Sequence, residues 1–468
     1  MGDHQTARAH SELAARQLAQ GEHGAALESL VLALRIAPEV AALWAQFSDL
    51  IRYFNLRHPA TPLRGLLERA LEHPAVDPGD LVRPISTLAL SHPQGPLAEP
   101  LLLRLLEDVV IRDAALERVI TDTRRRMLDE PLPLPVMVAI AHQCFNAEYV
   151  FEETAEERAL LERLKVSDAP CCASLARRQI FEPAEERRLA AQIPSIGGVT
   201  GAVSAAVRAQ YEANPYPRWV RLPTVAPQAR ERLSILVAGC GTGQQAILTA
   251  QRYPESKVLA VDLSLASLGY AARKTRELGI ANIEYRHADI LALGALQERF
   301  DLMECSGVLH HLEDPLAGWR ILAALRKPGA RMRIGLYSEL GRRAVVRARE
   351  LIAARGFKPD AAGIRAARAE IRKDPQLEQL ARNEDFYSMS GCRDLLFHVQ
   401  EHRFTLWQVE SMLAALGLEF AGFEFADSGA SLQRYRSRFS NERDLKSWAR
   451  FEEEFPDTFS RMYQFWVS

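Results

Sequence analysis

The stretch LSILVAGCGTGQQAILTAQRYPESKVLAVD, Leu233 to Asp262, decides the fold. Its apolar opening, Ile235, Leu236 and Val237, reads as a buried parallel strand that runs straight into Gly239-Cys240-Gly241-Thr242-Gly243. Behind the glycines, Ala246, Ile247 and Ala250 share one face of a helix, and a second apolar strand, Val258 to Val261, ends on Asp262. Together these make one βαβ unit, whose chemistry lies at the carboxyl ends of its strands. Glycines allow a sharp turn and leave room for a ligand against the backbone and the helix N-terminus. A carboxylate about 20 residues beyond the loop is placed to accept both hydroxyls of a ribose.

Two nucleotide chemistries compete for such a unit. The dinucleotide fingerprint is G-x-G-x-x-G, but this loop is G-x-G-x-G, with Gln244 where the third glycine would fall. The loop instead resembles motif I of the class I S-adenosylmethionine-dependent methyltransferases, and later stretches match that family in order. The resemblance implies S-adenosyl-L-methionine as cofactor, with S-adenosyl-L-homocysteine as product. It implies contacts from Ala238, Gly239, Cys240, Gly241, Gly243 and Gln244, and from Asp262 and Leu263. A third strand, Ile283 to His287, leads to Ala288-Asp289-Ile290. In the family an acid here accepts a hydrogen bond from the adenine amino group and the next residue lies against the ring; Asp289 and Ile290 match by position.

The fourth strand, Phe300 to Cys305, is followed by Ser306-Gly307-Val308-Leu309-His310-His311, similar to the family's motif IV. The resemblance places Ser306 and Gly307 at the methionine part of the cofactor, and His310 and His311 where the methyl group meets its acceptor. Methyl transfer is an in-line displacement for which the protein supplies alignment and, where needed, proton removal. Imidazole takes a proton near neutral pH, so one of the pair is a candidate base or a positioner of the acceptor. The turn Lys327-Pro328-Gly329 opens a fifth strand, Ala330 to Tyr337. One position departs from the family. An acid two residues before the first glycine usually helps hold the methionine ammonium; here Val237 stands there, with Gln244 as the candidate to compensate.

At 468 residues the chain needs two or three domains. With 58 basic and 60 acidic residues it has no charge excess that would favour nucleic acid. The six cysteines have no paired C-x-x-C spacing, which reads as free thiols in a reducing cytoplasm, and no apolar run is long enough for a membrane span. The polar N-terminus lacks the core of a signal peptide.

Residues 1–165 read as an all-helical domain. Two helical patterns meet at Gly21-Glu22-His23-Gly24, with Ala26, Leu30 and Ala33 on one face and Pro38 closing the second; this resembles a tetratricopeptide repeat. Stacked hairpins would offer a concave surface to a protein or peptide partner, or brace the enzyme or a homodimer. Arg124-Arg125-Arg126 reads as a solvated helix face. Residues 166–225 read as a linker and active-site cover. In it, Asn214-Pro215-Tyr216-Pro217 must stop a helix, and Tyr211, Tyr216 and Trp219 gather aromatic surface. The order of motifs rules out reading Asn-Pro-Tyr-Pro as the Asn-Pro-Pro-Tyr of amino-methylating enzymes, because Cys305-Ser306-Gly307 already fills that place.

After the first part of the core, 226–340, comes a helical insertion or lid, 341–404. Insertions there often complete an acceptor pocket, and Tyr337, Tyr387, His398, Glu401, His402 and Arg403 are its polar candidates. His398-Val399-Gln400-Glu401-His402 formally fits the H-x-x-E-H of inverted zinc proteases, but without their context no metal is expected. Residues 405–468 supply a last helix, strand six over Leu418–Ala426 and strand seven over Met462–Val467. The expected fold is therefore α/β: a Rossmann-like, seven-stranded methyltransferase sheet with its last strand antiparallel, plus the all-α N-terminal domain. The expected function is methyl transfer to a protein or peptide gripped by the N-terminal helices. A small-molecule acceptor is the alternative, and a non-catalytic binding protein on the same fold the remote one.

Overall fold

The computed structural model describes every residue except 1, 59–60, 200, 426–428 and 460–461. Ala426, the expected end of strand six, thus lies outside the described residues. By internal contacts the chain forms two units. One comprises Met1–Phe181, Arg218–Ala226 and Arg382–Met389; the other comprises Glu182–Pro217, Pro227–Ala381 and Ser390–Ser468. Residues 166–225 are shared between the units rather than forming a separate linker.

The first unit is all helical. Helices Gly2–Ala19 and His23–Ile36 form a hairpin across Gly21, and the helices from Ala41–Ile51 to Ala155–Leu164 follow with irregular, proline-rich connections. Side chains cap three of these starts. Glu99 and Asp113 accept hydrogen bonds from first-turn amides, and Thr154 forms a reciprocal capping box with Glu157. Apolar faces meet in one core running from Ala7 to Leu175. Arg124 is not part of a solvated face: its helix turns it inward, fully buried, onto Glu157 at 3.2 Å, and it also donates to the Glu152 carbonyl. A buried guanidinium needs such partners, and only Arg125 and Arg126 stay exposed. Among the described residues no helix is long and apolar enough to cross a membrane.

The second unit is built on an eight-stranded sheet. Its strands are β1 (Ser195–Ile196), β2 (Ser234–Ala238), β3 (Lys257–Asp262), β4 (Ile283–Ala288), β5 (Phe300–Ser306), β6 (Arg326–Leu336), β7 (Phe420–Phe423) and β8 (Tyr463–Val467). They lie in the order β1-β4-β3-β2-β5-β6-β8-β7, parallel except for the pairings of β8 with β6 and β7. The Rossmann-like architecture is as expected, with one correction to the strand count. The sheet has an eighth strand because Ser195 and Ile196 pair with His287 and Ala288 of β4. Two residues carry no legible alternation, so this edge reads as loop in the sequence.

Alternation sorts the central strands between two cores. Leu236, Ala238, Leu259 and Val261 face one layer of helices, and Ile235, Val237, Val258 and Ala260 face the other. The chain reverses its direction of strand addition between β2 and β5. The crevice outside their carboxyl ends is therefore where a ligand binds in such sheets. Gly243 shows how tightly that edge is built: at φ +87° a Cβ on it would stand 2.6 Å from the Ala271 Cβ of helix Leu265–Glu277. Gly279, at φ +67°, has nothing within 4 Å. Gly279→Ala should therefore cost only the backbone term, about 1–2 kcal/mol. Gly243→Ala should cost about 1–3 kcal/mol more through overpacking; urea denaturation of both variants measures the difference.

Candidate active site

The glycine loop is fixed from two sides. Gly239 and Cys240 donate their amides to the Val261 carbonyl at 2.8 and 2.9 Å. From the other side the Asn214–Pro217 segment lies over the turn. The Tyr216 carbonyl accepts from the Thr242 amide at 3.2 Å, and the Pro217 carbonyl accepts from the Thr242 hydroxyl at 2.6 Å. A Cβ on Gly241 would fall 2.5 Å from the Tyr216 oxygen, so this strap requires glycine beneath it. Asp262 then braces the loop: Oδ2 accepts from the Gly241 amide at 2.7 Å and Oδ1 from the Ser264 amide at 2.9 Å. A carboxylate has about four acceptor sites, so Asp262 keeps acceptor capacity beyond these backbone donors. Burial raises the Asp262 pKa and the backbone donors pull it back. One strand over, Asp289 Oδ1 accepts from the Leu291 amide at 2.9 Å, while Oδ2 is buried with no hydrogen-bond partner. At the end of β5, Ser306 donates to the Met462 sulfur at 3.6 Å; above Gly307, at φ +76°, a Cβ would meet only the Met462 methyl, at 4.0 Å.

Beyond Gly307, the turn Leu309–His311 buries both histidines in different surroundings. His310 stacks on Tyr337 at 3.8 Å, the Arg342 guanidinium covers the far ring at 3.9 Å, and both His310 nitrogens are buried without a hydrogen-bond partner. His311 lies face to face with His398, 3.6 Å apart, and its Nδ1 is 2.7 Å from the Gln400 carbonyl. A carbonyl can only accept, so Nδ1 carries the proton and Nε2 holds the lone pair. The Gln400 amide donates in turn to His398 Nδ1 at 3.1 Å, which leaves the proton on His398 Nε2, facing the Tyr211 hydroxyl at 3.1 Å. Tyr211 donates to Asp394 Oδ1 at 2.6 Å. Burial first, and the neighbouring cationic and imidazole groups second, hold His310 and His311 well below the usual imidazole range. His398 is lowered to about 4, and burial raises Asp394 to about 6.

Residues 235–329 match the methyltransferase-domain family. The uncharacterized protein syc1184_c of a Synechococcus species is 30% identical over 288 residues, covering 53% of this chain and 67% of that protein. The chain belongs to the S-adenosylmethionine-dependent methyltransferases. The ubiquinone biosynthesis O-methyltransferase of Leptothrix cholodnii is 36% identical over 98 residues, 21% of this chain and 41% of that enzyme. Among solved structures, PKMT2 from Rickettsia typhi in complex with AdoHcy is 17% identical with a TM-score of 0.41, covering 58% of this chain and 54% of that one. This methyltransferase therefore spans about half or less of those two proteins.

S-Adenosylmethionine is the methyltransferase's cofactor, and three features of the site fit it. Asp262 keeps acceptor capacity for a ribose diol, the unpartnered Asp289 oxygen suits the adenine amino group, and Gly307 leaves an uncrowded edge beside β5. Ala238 and Ile290 are buried beside these groups in the core, and the Leu263 carbonyl accepts from His287 at 3.0 Å. Cys240 is buried, and its thiol is pushed well above the ordinary range by burial and by Asp262. The position of the absent acid has a buried acid beside it. Gln244 makes no side-chain hydrogen bond among the described residues. Glu304 of β5 stands in register with Val237, and its carboxylate accepts from Gln245 at 2.7 Å and Thr249 at 2.9 Å. Strand Phe300–Ser306 also carries Asp301, so the sequence alone does not single out Glu304.

The acceptor candidates divide. Tyr211, Tyr337 and His398 gather around the two histidines, and Tyr216 forms the strap. Glu401 is committed to Arg342 and to Arg349 at 2.8 Å, His402 to Gln400 at 2.9 Å, and Arg403 to Glu339 at 3.3 Å. Trp219 and Tyr387 are buried and fold with the helical unit. Asp394, which sequence reasoning did not single out, joins Tyr211 across 183 positions. Ligand atoms of His311, Asp394 and His398 lie within 4.8 Å of one another, the usual signature of a metal triad. Their hydrogen bonds oppose that use: His398 spends its lone pair on the Gln400 amide, and the two stacked rings do not aim lone pairs at one point. Asp289→Asn keeps the cap on Leu291 but replaces the unpartnered acceptor with a donor. The variant should lose about ten- to hundredfold in S-adenosylhomocysteine affinity by calorimetry, with little change in the melting temperature of the free protein.

Proposed function

We propose that this methyltransferase methylates a nucleophile bearing a dissociable proton, with His311 as the base. The observation that carries the reading is the Nδ1–H bond from His311 to the Gln400 carbonyl, which leaves Nε2 as the proton-accepting nitrogen. Bound S-adenosylmethionine supplies an electrophilic methyl group on a sulfonium. The loop, Asp262 and Asp289 hold its adenosyl half, and His311 Nε2 receives the proton as the acceptor atom gains the methyl group. The Tyr211–Asp394–His398 chain keeps the His311 ring in its stack. A neutral imidazole already below its usual range is not lost to protonation near pH 6.5. The rate with the parent protein should therefore not decline as pH falls from 7.5 to 6, whereas a base of ordinary pKa, about 6.5, would lose activity there. His311→Ala should lower kcat by about 10²–10⁴-fold. An unchanged kcat would remove His311 from the chemistry.

For the acceptor we infer a protein or peptide side chain gripped by the N-terminal helices. Two features support this: the methyltransferase chemistry uses none of Met1–Phe181, yet that segment builds its own core, and it opens with a helical hairpin, Gly2–Ala19/His23–Ile36. A small-molecule acceptor is the second reading, favoured by the match to a ubiquinone O-methyltransferase; the helices would then brace the enzyme or a homodimer. The six cysteines are free, in keeping with a cytoplasmic site of action. Methyl-tritiated cofactor incubated with the protein and cell extract separates the two acceptors. Label retained with macromolecules is expected; label only in the low-mass filtrate would favour the second reading.

A further inference from the structure

We propose that Arg393 is the counter-ion for a ligand carboxylate at the strap, brought by the methionine end of the cofactor or by the acceptor. Three buried arginines of this unit have carboxylate partners: Arg273 has Glu186 at 2.8 Å, Arg333 has Glu424 at 2.8 Å, and Arg342 has Glu401. Arg393 has none among the described residues. Its Nη1 donates to the Asn214 side-chain oxygen at 2.7 Å, a neutral acceptor, and its Nε is buried with no partner. Burial lowers its pKa and no charge restores it. Arg393 is half-buried, but its Nε is shut away from solvent without a partner, and an anion is the usual remedy for such a group. A planar fork with free N–H groups is suited to a carboxylate.

Its position selects the ligand. Asn214 lies two residues before Tyr216, whose carbonyl touches the turn of the glycine loop. Helix Met389–Phe397, which carries Arg393, is tied to the same wall by the Asp394–Tyr211 bond, and Val399 just beyond it donates to Gln210 at 3.3 Å. Arg393 therefore contacts the strap that lies over the glycine loop, on a helix that ends one residue before His398. Arg326 also lacks a carboxylate, but it opens β6 at the amino ends of the strands, the edge opposite the loop. The inference rests on the cofactor assignment, and only its second source depends on the proposed acceptor chemistry.

Calorimetry on the full chain and on Arg393→Gln, with S-adenosylhomocysteine and with 5′-methylthioadenosine, tests it. The second ligand keeps the adenosyl thioether and lacks the amino acid. If the cofactor brings the carboxylate, the variant loses about ten- to hundredfold in homocysteine-ligand affinity while 5′-methylthioadenosine binds as before. If the acceptor brings it, both nucleosides bind as before and the KM for the labelled extract fraction rises about tenfold or more at similar kcat. Equal weakening of both nucleosides, or no change in either affinity or in KM, would overturn the proposal. Should Arg393→Gln not fold, Arg393→Lys decides. A severalfold loss confined to the homocysteine ligand or to KM supports it, and parent-like values throughout overturn it. Failure of the parent protein to bind either nucleoside would instead remove the cofactor assignment.

Discussion

The whole site depends on the clamp between Thr242 and the strap. Two carbonyls, from Tyr216 and Pro217, take the amide and hydroxyl of one loop residue, while Asp262 takes the amide of the residue before it. The loop is thus suspended between a segment upstream of the sheet and a strand end within it. A backbone hydrogen bond formed away from water is strong, and leaving either partner unmet would cost more than the bond returns. The glycine at Gly241 follows from this arrangement, since any side chain there would meet the Tyr216 oxygen. What a sequence pattern presents as a ligand cradle is, at this position, first a requirement of the protein's own packing.

The reacting end applies the same logic to protons. Gln400 offers its carbonyl to His311 and its amide to His398, so the backbone of one residue sets opposite tautomers on two stacked rings. Both histidines remain neutral because burial penalises the charged form more than any neighbour rewards it. Asp394, raised by the same burial, is held by the Tyr211 hydroxyl. The chain Asp394–Tyr211–His398 therefore supports the ring beside it through a hydrogen-bonded carboxylate.

Much of this was legible in the sequence where the information is local. β2, its glycines and the acids at Asp262 and Asp289 follow from strand periodicity and from the regular return of the chain to one edge of the sheet. What depended on contacts between distant segments was not legible. Glu304 stands beside Val237 only because parallel register sets the two side by side. Asp394 meets Tyr211 across most of the fold, and Glu401, an open polar candidate in the sequence, is consumed by arginines. Arg124 looked solvated because a run of three arginines hides which one the helix turns inward.

The sheet's outermost strands have a consequence for behaviour at high concentration. β1 contributes two residues and β7 four, the latter interrupted by an irregularity of register at Gly422. A second chain approaching either side would find too few unpaired backbone groups in line to add a strand of its own. Short margins of this kind let a sheet with long, apolar inner strands stay separate from its neighbours, so the inner strands can be as hydrophobic as their two helical layers demand.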